Sequence, residues 1–217
     1  MKDMEHLELM PARIRIASIL RKAILAGEFQ EGQELSLTEM GNQLGVSRTP
    51  VREAFQTLAS EGLIELRMNK GAIVRRIDEK FITDHYEMRI LLEGEAAARA
   101  AANHMDPSLL RPYQEKALKA LPVMTQEEYI DYNMKFHTTI WTAANNGKLY
   151  QFLMGLWDGP SVGKTTSNAE HREKSVLEHG KILGCIGFCE PEEARREMSR
   201  HIRRSMNNIL DSFSESS

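Results

Sequence analysis

Ser36-Leu37-Thr38-Glu39, followed by Gly45-Val46-Ser47-Arg48-Thr49-Pro50-Val51-Arg52-Glu53-Ala54-Phe55, decides the fold of the first third of the chain. Ser36 and Glu39 stand at capping-box spacing, so each side chain can satisfy a free N–H at a helix start. The helix that follows is expected to bury Leu37, Met40 and Leu44 and to stop at Gly45. Pro50 disfavours helical geometry at Thr49 and suits the first helical position itself, which makes Thr49 the expected N-cap of the next helix. That helix runs to about Glu61, buries Val51, Phe55 and Leu58, and presents Arg52 and Gln56 elsewhere; Gly62 ends it.

Outward from this pair, residues 12–26 read as a helix, with Ile16, Leu20 and Ile24 at four-residue spacing. On the other side, Leu63-Ile64-Glu65-Leu66 and Ala72-Ile73-Val74 read as two strands joined through Met68-Asn69-Lys70-Gly71. Helix, helix, turn, helix, hairpin is the order of a winged helix-turn-helix. Arg48, Thr49 and Arg52 cluster at the start of the third helix, where free amides and the dipole favour phosphate and an Arg can pair with guanine. Arg-Thr-Pro-x-Arg alone also fits an ordinary exposed helix start. The cap and turn before it and the hairpin after it turn it into a DNA-binding element, with Lys70 able to reach the backbone or a minor groove.

Charge agrees only locally. The formal net charge is −3, but residues 47–76 hold 6 basic and 3 acidic side chains. A DNA-binding surface needs local positive charge rather than a basic whole. The 217 residues, 41% hydrophobic and 27% charged, suit one or two domains with a sizeable core. No apolar run approaches the roughly 18–20 residues that span a bilayer. The start, MKDMEHLELM, carries Asp3, Glu5 and Glu8 and does not read as a secretory signal. Two cysteines, Cys185 and Cys189, cannot build a disulfide framework. A cytoplasmic protein with no membrane partner is expected.

Gly45 to Phe55, with Leu58-Ala59-Ser60-Glu61-Gly62-Leu63-Ile64, closely resembles the DNA-binding domain of GntR-family bacterial transcription regulators. The resemblance implies a winged helix-turn-helix domain over residues 10–76 that contacts bases and phosphates through Arg48, Thr49 and Arg52, with Gly71 at the wing tip. Some members carry an Arg near the start of the second helix, where this chain has Thr38.

Beyond Arg75–Glu79 the pattern becomes long and helical, and the expectation over residues 79–213 is an all-α antiparallel bundle. Helices are expected from Lys80 to about His104, with Met88, Leu92 and Ala96 inward, from Asp106-Pro107 to about Leu121, and over about Glu127–Ala144. Three more cover roughly Leu149–Trp157, Glu170–Leu183 and Glu192–Leu210. Asn133 and His137 share a face at i and i+4, while His179 and His201 lie on the last two helices. Imidazoles from several helices of a bundle can hold a divalent metal. Singly, each reads as a core or surface residue, and spacing does not show that they converge. Cys185 and Cys189 form a competing pair that reads as buried small apolar residues. His85, His104 and His171 read as surface or helix-end residues, and Tyr132, Trp141, Met154 and Trp157 as core before cavity lining.

Phe136-His137, Glu178-His179 and His201, with Met88-Arg89 and Leu92-Glu93-Gly94, resemble the FCD effector domain of the FadR subfamily. The resemblance implies a divalent metal ion, zinc ahead of nickel or manganese, held by Asn133, His137, His179 and His201. Many members place Asp where this chain has Asn133, so a weaker site is expected. It also implies a homodimer bound to an inverted-repeat DNA operator and a small carboxylate effector. Arg89, charged and mid-helix, is the candidate effector contact, or else an internal partner of Glu93 one turn on. The expected function is a ligand-responsive transcription regulator, a repressor. A metal-dependent hydrolase with an accessory DNA-binding domain is the alternative, since three His with open positions also suit activated water.

Overall fold

Local signals shape the beginning of the chain largely as read. The computed structural model describes residues 11–25, 27–68, 71–157 and 168–214, apart from the side chains of residues 168 and 212–214. Contacts divide the chain after Arg76 into two units. In the first, α1 (Ala12–Leu25) buries Ile16, Leu20 and Ile24. Ser36 caps α2 (Leu37–Leu44), its hydroxyl accepting from the Glu39 N–H at 3.4 Å, and Gly45 ends it at φ 66°, a left-handed turn. The third helix, α3 (Arg48–Ser60), buries Val51, Phe55 and Leu58, each contributing roughly 1.5–3 kcal/mol by burial.

The start of α3 differs from expectation. Its N-cap is Ser47, at φ −71° and ψ 165°, and Thr49 and Pro50 both lie in its first turn. First-turn N–H groups have no acceptor within a helix, so proline loses no hydrogen bond at the third position either. A three-stranded antiparallel sheet follows from β1 (Glu34–Leu35), β2 (Ile64–Arg67) and β3 (Gly71–Val74), in the order β1-β3-β2. The two-residue β1 was not anticipated; it pairs Leu35 with Ala72. That pairing explains Gly71: at φ 108°, a Cβ there would stand 2.0 Å from the Leu35 carbonyl oxygen. Buried Arg21 clamps the end of α3 from α1, donating to Glu61 from Nε at 2.7 Å and Nη2 at 2.5 Å.

The second unit is helical. Asp78 caps α4 (Glu79–Ala102) by accepting from the Phe81 N–H at 2.8 Å. A short 3-10 turn (Pro107–Leu109) leads to α5 (Arg111–Ala120), α6 (Gln126–Ala143) and α7 (Gly147–Leu156), then α8 (Asn168–Gly187) and α9 (Pro191–Ser214). The helix expected from Asp106 is thus broken at Leu110, at φ −117° and ψ −23°, and Pro112 falls in the first turn of α5, where it loses no hydrogen bond. Thr125 and Glu128 cap α6 reciprocally. A second correction concerns α4: Met88 is 49% exposed and Leu92 half-buried, while the inward stripe runs through Ile82, Tyr86, Arg89, Ile90, Glu93 and Ala97. Alanines and Gly94 let α4 lie close on α9, where a Cβ on Gly94 would meet the Ser199 hydroxyl at 2.7 Å. No helix among the described residues is long and apolar enough to cross a membrane.

Candidate functional site

Three helices of the second unit bring imidazoles together. His137 of α6, His179 of α8 and His201 of α9 are all buried, and a nitrogen from each lies within 4.8 Å of the others. His179 Nε2 and His201 Nε2 stand 3.3 Å apart. Each of the three rings commits its Nδ1 elsewhere. His137 Nδ1 meets Glu93 Oε2 at 2.6 Å, His201 Nδ1 meets Glu178 Oε2 at 2.7 Å, and His179 Nδ1 meets Tyr132 Oη at 3.1 Å. A ring that donates Nδ1–H to such an acceptor keeps a lone pair on Nε2. The centre therefore gathers lone pairs facing one another, an arrangement that needs a cation or a shared proton between them.

The second layer is charged and paired. Arg89 donates to Glu93 Oε1 from Nη2 at 2.8 Å and Nε at 3.1 Å, and its guanidinium lies 5.3 Å from the Tyr86 ring and 5.8 Å from the Trp157 ring. Arg204 grips Glu178 with two 2.7 Å hydrogen bonds and donates to the Ser175 hydroxyl at 2.8 Å. The third ring is held by neutral groups: Tyr132 donates to Gln114 Oε1, and Gln114 Nε2 donates to the Val176 carbonyl at 2.8 Å. Phe136 stacks on His179 at 3.9 Å and 6° between planes, fixing its tilt.

Electrostatics keep these roles in place. Burial alone would raise the Glu93 carboxyl, but the charges of His137 and Arg89 overcome it and bring its pKa to about 2. Glu178 is likewise brought to about 2, burial again being outweighed by its bonds to His201 and Arg204. Burial drives His179 well below 6.5 and His201 to about 4, so both are neutral near pH 7. The Tyr132 hydroxyl is pushed far up by burial and stays a proton donor. Carboxylates this acidic and this tightly paired are poor general bases near neutral pH.

Of the residues expected at this centre, the three histidines meet, and Asn133 is buried one turn before His137 on the same helix. Arg89 is buried against Glu93, the internal pairing. Glu93, Glu178, Arg204, Tyr132 and Gln114 were not anticipated in these roles. Glu178 points about 100° away from its neighbour His179 around α8, and that offset aims it past His179 at His201 of α9. His171 is buried, not superficial, and accepts from Arg204 Nη1 at 3.3 Å. The cysteines are corrected too: Cys185, in the last turn of α8, is half-buried, and Cys189, two residues beyond the helix, is exposed.

In the first unit, Arg48, Thr49 and Arg52 are exposed at the start of α3, and the Ser47 side chain caps none of its free N–H groups. A groove of about 280 Å³ is lined by Arg48, Arg52, Gln56, Leu66, Arg67 and Met68, among others. Lys70 lies outside the described residues. Gly71 has a structural reason of its own in its contact with β1.

Comparison with known proteins agrees with both units. The profile for bacterial regulatory proteins of the gntR family matches residues 13–74, and that for the FCD domain matches residues 84–204. The uncharacterized HTH-type transcriptional regulator YdhC of Bacillus subtilis is 26% identical over 92% of this chain and 91% of its own length. The probable D-xylose utilization operon transcriptional repressor of Paenarthrobacter nicotinovorans is 28% identical, over 88% of this chain and 87% of its own. The solved structure of E. coli McbR/YncC shares the fold at a TM-score of 0.73 and 21% identity, covering 94% of this chain and all of that one. The chain belongs to the GntR family of bacterial regulatory proteins, with an FCD domain as its second unit, and is a transcription regulator rather than an enzyme.

Proposed function

We propose that this regulator is a repressor whose FCD domain senses a small carboxylate through a divalent metal ion, and that it binds an inverted-repeat operator as a homodimer. One observation carries the metal: three buried imidazoles have Nδ1 committed to Glu93, Glu178 and Tyr132, and a nitrogen of each lies within 4.8 Å of the others. Partners of this kind fix the tautomer and orientation of metal-binding histidines. The 3.3 Å between two of those atoms also suits the purpose. A tetrahedral zinc with bonds of about 2.0–2.1 Å separates its ligands by about 3.3–3.4 Å. His137, His179, His201 and Asn133 would hold the ion, three nitrogens and an amide oxygen that suit zinc, nickel or manganese.

When bound, such an ion supplies positive charge and open positions for an anionic ligand. The surrounding residues hold the site ready for it: Arg89 and Arg204 neutralise the two carboxylates, so neither competes with an effector for the ion's charge. Arg89 enters this reading as the support of Glu93 and hence of His137, in place of a free effector contact. Cytoplasmic location follows from a role on DNA. Repression is supported by the name of the Paenarthrobacter relative.

Metal analysis of the purified protein, with zinc titration of the stripped protein followed by calorimetry, tests the centre. The expected result is one ion per chain in wild type and none in a His179→Ala, His201→Ala double variant. Full occupancy in that variant would sink the reading. Release of operator DNA by a small carboxylate only in the metal-loaded protein tests the sensing step.

A further inference from the structure

Arg48, Arg52 and Gln56 stand at i, i+4 and i+8 on α3 and so share one face of the helix. All three are exposed, and among the described residues none is held by a hydrogen bond or an ion pair. Their neighbours are otherwise occupied: Glu53 pairs with Arg13 at 3.9 Å, and the Thr57 hydroxyl donates to the Glu53 carbonyl at 3.2 Å. Phe55 and Leu58 on the adjoining face are fully buried and fix the orientation of α3, which leaves the Arg48, Arg52 and Gln56 side chains exposed to meet a ligand. Gln56 lines the same groove as Arg48 and Arg52, beside Arg67 and Met68.

We propose that Gln56 is a base-reading residue of the recognition helix and that it selects adenine. This rests on the DNA-binding reading of α3 and deepens it. A glutamine amide presents one donor and one acceptor side by side, the complement of adenine N6–H and N7, whereas an arginine fork complements guanine O6 and N7. Four helical residues at 1.5 Å each advance about 6 Å, close to two base-pair steps of 3.4 Å. The selected adenine therefore lies about two base pairs from the guanine read by Arg52. An uncommitted amide in this stripe has no structural task, so its removal leaves the fold untouched.

The test is selection from a random-sequence duplex DNA library by the full-length protein, with wild type, Gln56→Ala, Gln56→Glu and Arg52→Ala run in parallel. Wild type is expected to recover half-sites with a guanine and an adenine at that spacing. Gln56→Ala should lose its preference at the adenine position alone, by roughly 5- to 150-fold against the other bases, and keep the guanine. Gln56→Glu should replace adenine by cytosine, whose N4 amino group a carboxylate accepts from. The proposal is overturned if Gln56→Ala recovers the wild-type consensus at unchanged strength, or weakens binding to every sequence alike. A wild type that enriches no consensus would overturn the DNA-binding reading itself, and Gln56 with it. Unchanged thermal unfolding of the two Gln56 variants confirms that only recognition has been altered.

Discussion

The two units treat arginine in opposite ways. Arg48 and Arg52 of α3 stand exposed with no partner among the described residues, whereas Arg89 and Arg204 are drawn into the helical bundle and bonded to Glu93 and Glu178. The difference follows from what each region must meet. A surface for a polyanion keeps its cations uncommitted, so that phosphate and base edges are their first strong partners. An interior that holds a metal, as proposed for the bundle, is assembled beforehand, because a buried charge without a partner is costly and an unoriented ligand binds weakly. Substitutions in the bundle should therefore show in stability and metal affinity, and substitutions on α3 in DNA binding alone.

The largest effect on zinc affinity should come from His179→Ala. A structural zinc contributes about 10–16 kcal/mol. One of four ligands then accounts for roughly 3–4 kcal/mol, a several-hundred-fold loss of zinc affinity by competition titration. His85→Ala, on α4 outside the triad, should leave affinity unchanged. Equal affinities for the two variants would break the distinction between the triad and the other histidines.

Arg89→Met comes next and sharpens the contrast. It leaves Glu93 buried beside His137 without its cation, and breaking a buried pair in this way costs about 3–5 kcal/mol of stability. Zinc affinity should fall with it, by about 10–100-fold as for other supporting residues of metal sites. A variant with wild-type melting temperature and zinc affinity, but no response to a carboxylate, would return Arg89 to the role of an effector contact.

Acid should act on the bundle in two steps when the protein is metal-free. His179 and His201 are neutral when folded, held down by burial, with His201 at about 4. The unfolded chain takes up these protons below about 6.5. Stability is thus complete above that pH and is lost as pH falls toward about 4. Glu93 and Glu178, both at about 2 when folded, add a further loss as pH falls below their ordinary value of 4.5. Urea unfolding between pH 7.5 and 5 measures the first step, and a flat profile would contradict it.

The smallest effect belongs to the exposed helix. Arg52→Ala should cost about 1–3 kcal/mol of operator binding at matched salt. Its unfolding free energy should stay within about 0.5 kcal/mol of wild type, as for a surface change that breaks no bond. A large stability loss here would mean that Arg52 is structural, and the contrast between the units would fail.

What the sequence disclosed divides along the same line. The helix-turn-helix was legible because its signals are local: the Ser36 cap, the left-handed Gly45 and the Val51, Phe55, Leu58 stripe each act within a few residues. The strand β1 escaped notice because its two residues acquire meaning only beside Ala72 and Ile73, far along the chain. The same holds in the bundle. Histidine identities pointed to a metal, but the meeting of α6, α8 and α9 is a tertiary fact that no spacing encodes. Apolar periodicity also placed Met88 inside, because it scores Arg89 and Glu93 as outward; their mutual pairing and His137 are what make burial tolerable. Glu178 was hidden for a related reason, since its partners His201 and Arg204 belong to another helix.

The central claim is that the triad is organised before any metal arrives. Long-range proton–nitrogen NMR of the imidazole rings, on stripped protein at pH 7 and again with one equivalent of zinc, tests it most directly. The expected result is that all three rings carry a proton at Nδ1 in the stripped protein, that His179 and His201 are neutral, and that the Nε2 resonances are the ones that move strongly when zinc is added. Rings protonated at Nε2, or an Nδ1 resonance that responds as the binding atom, would contradict it.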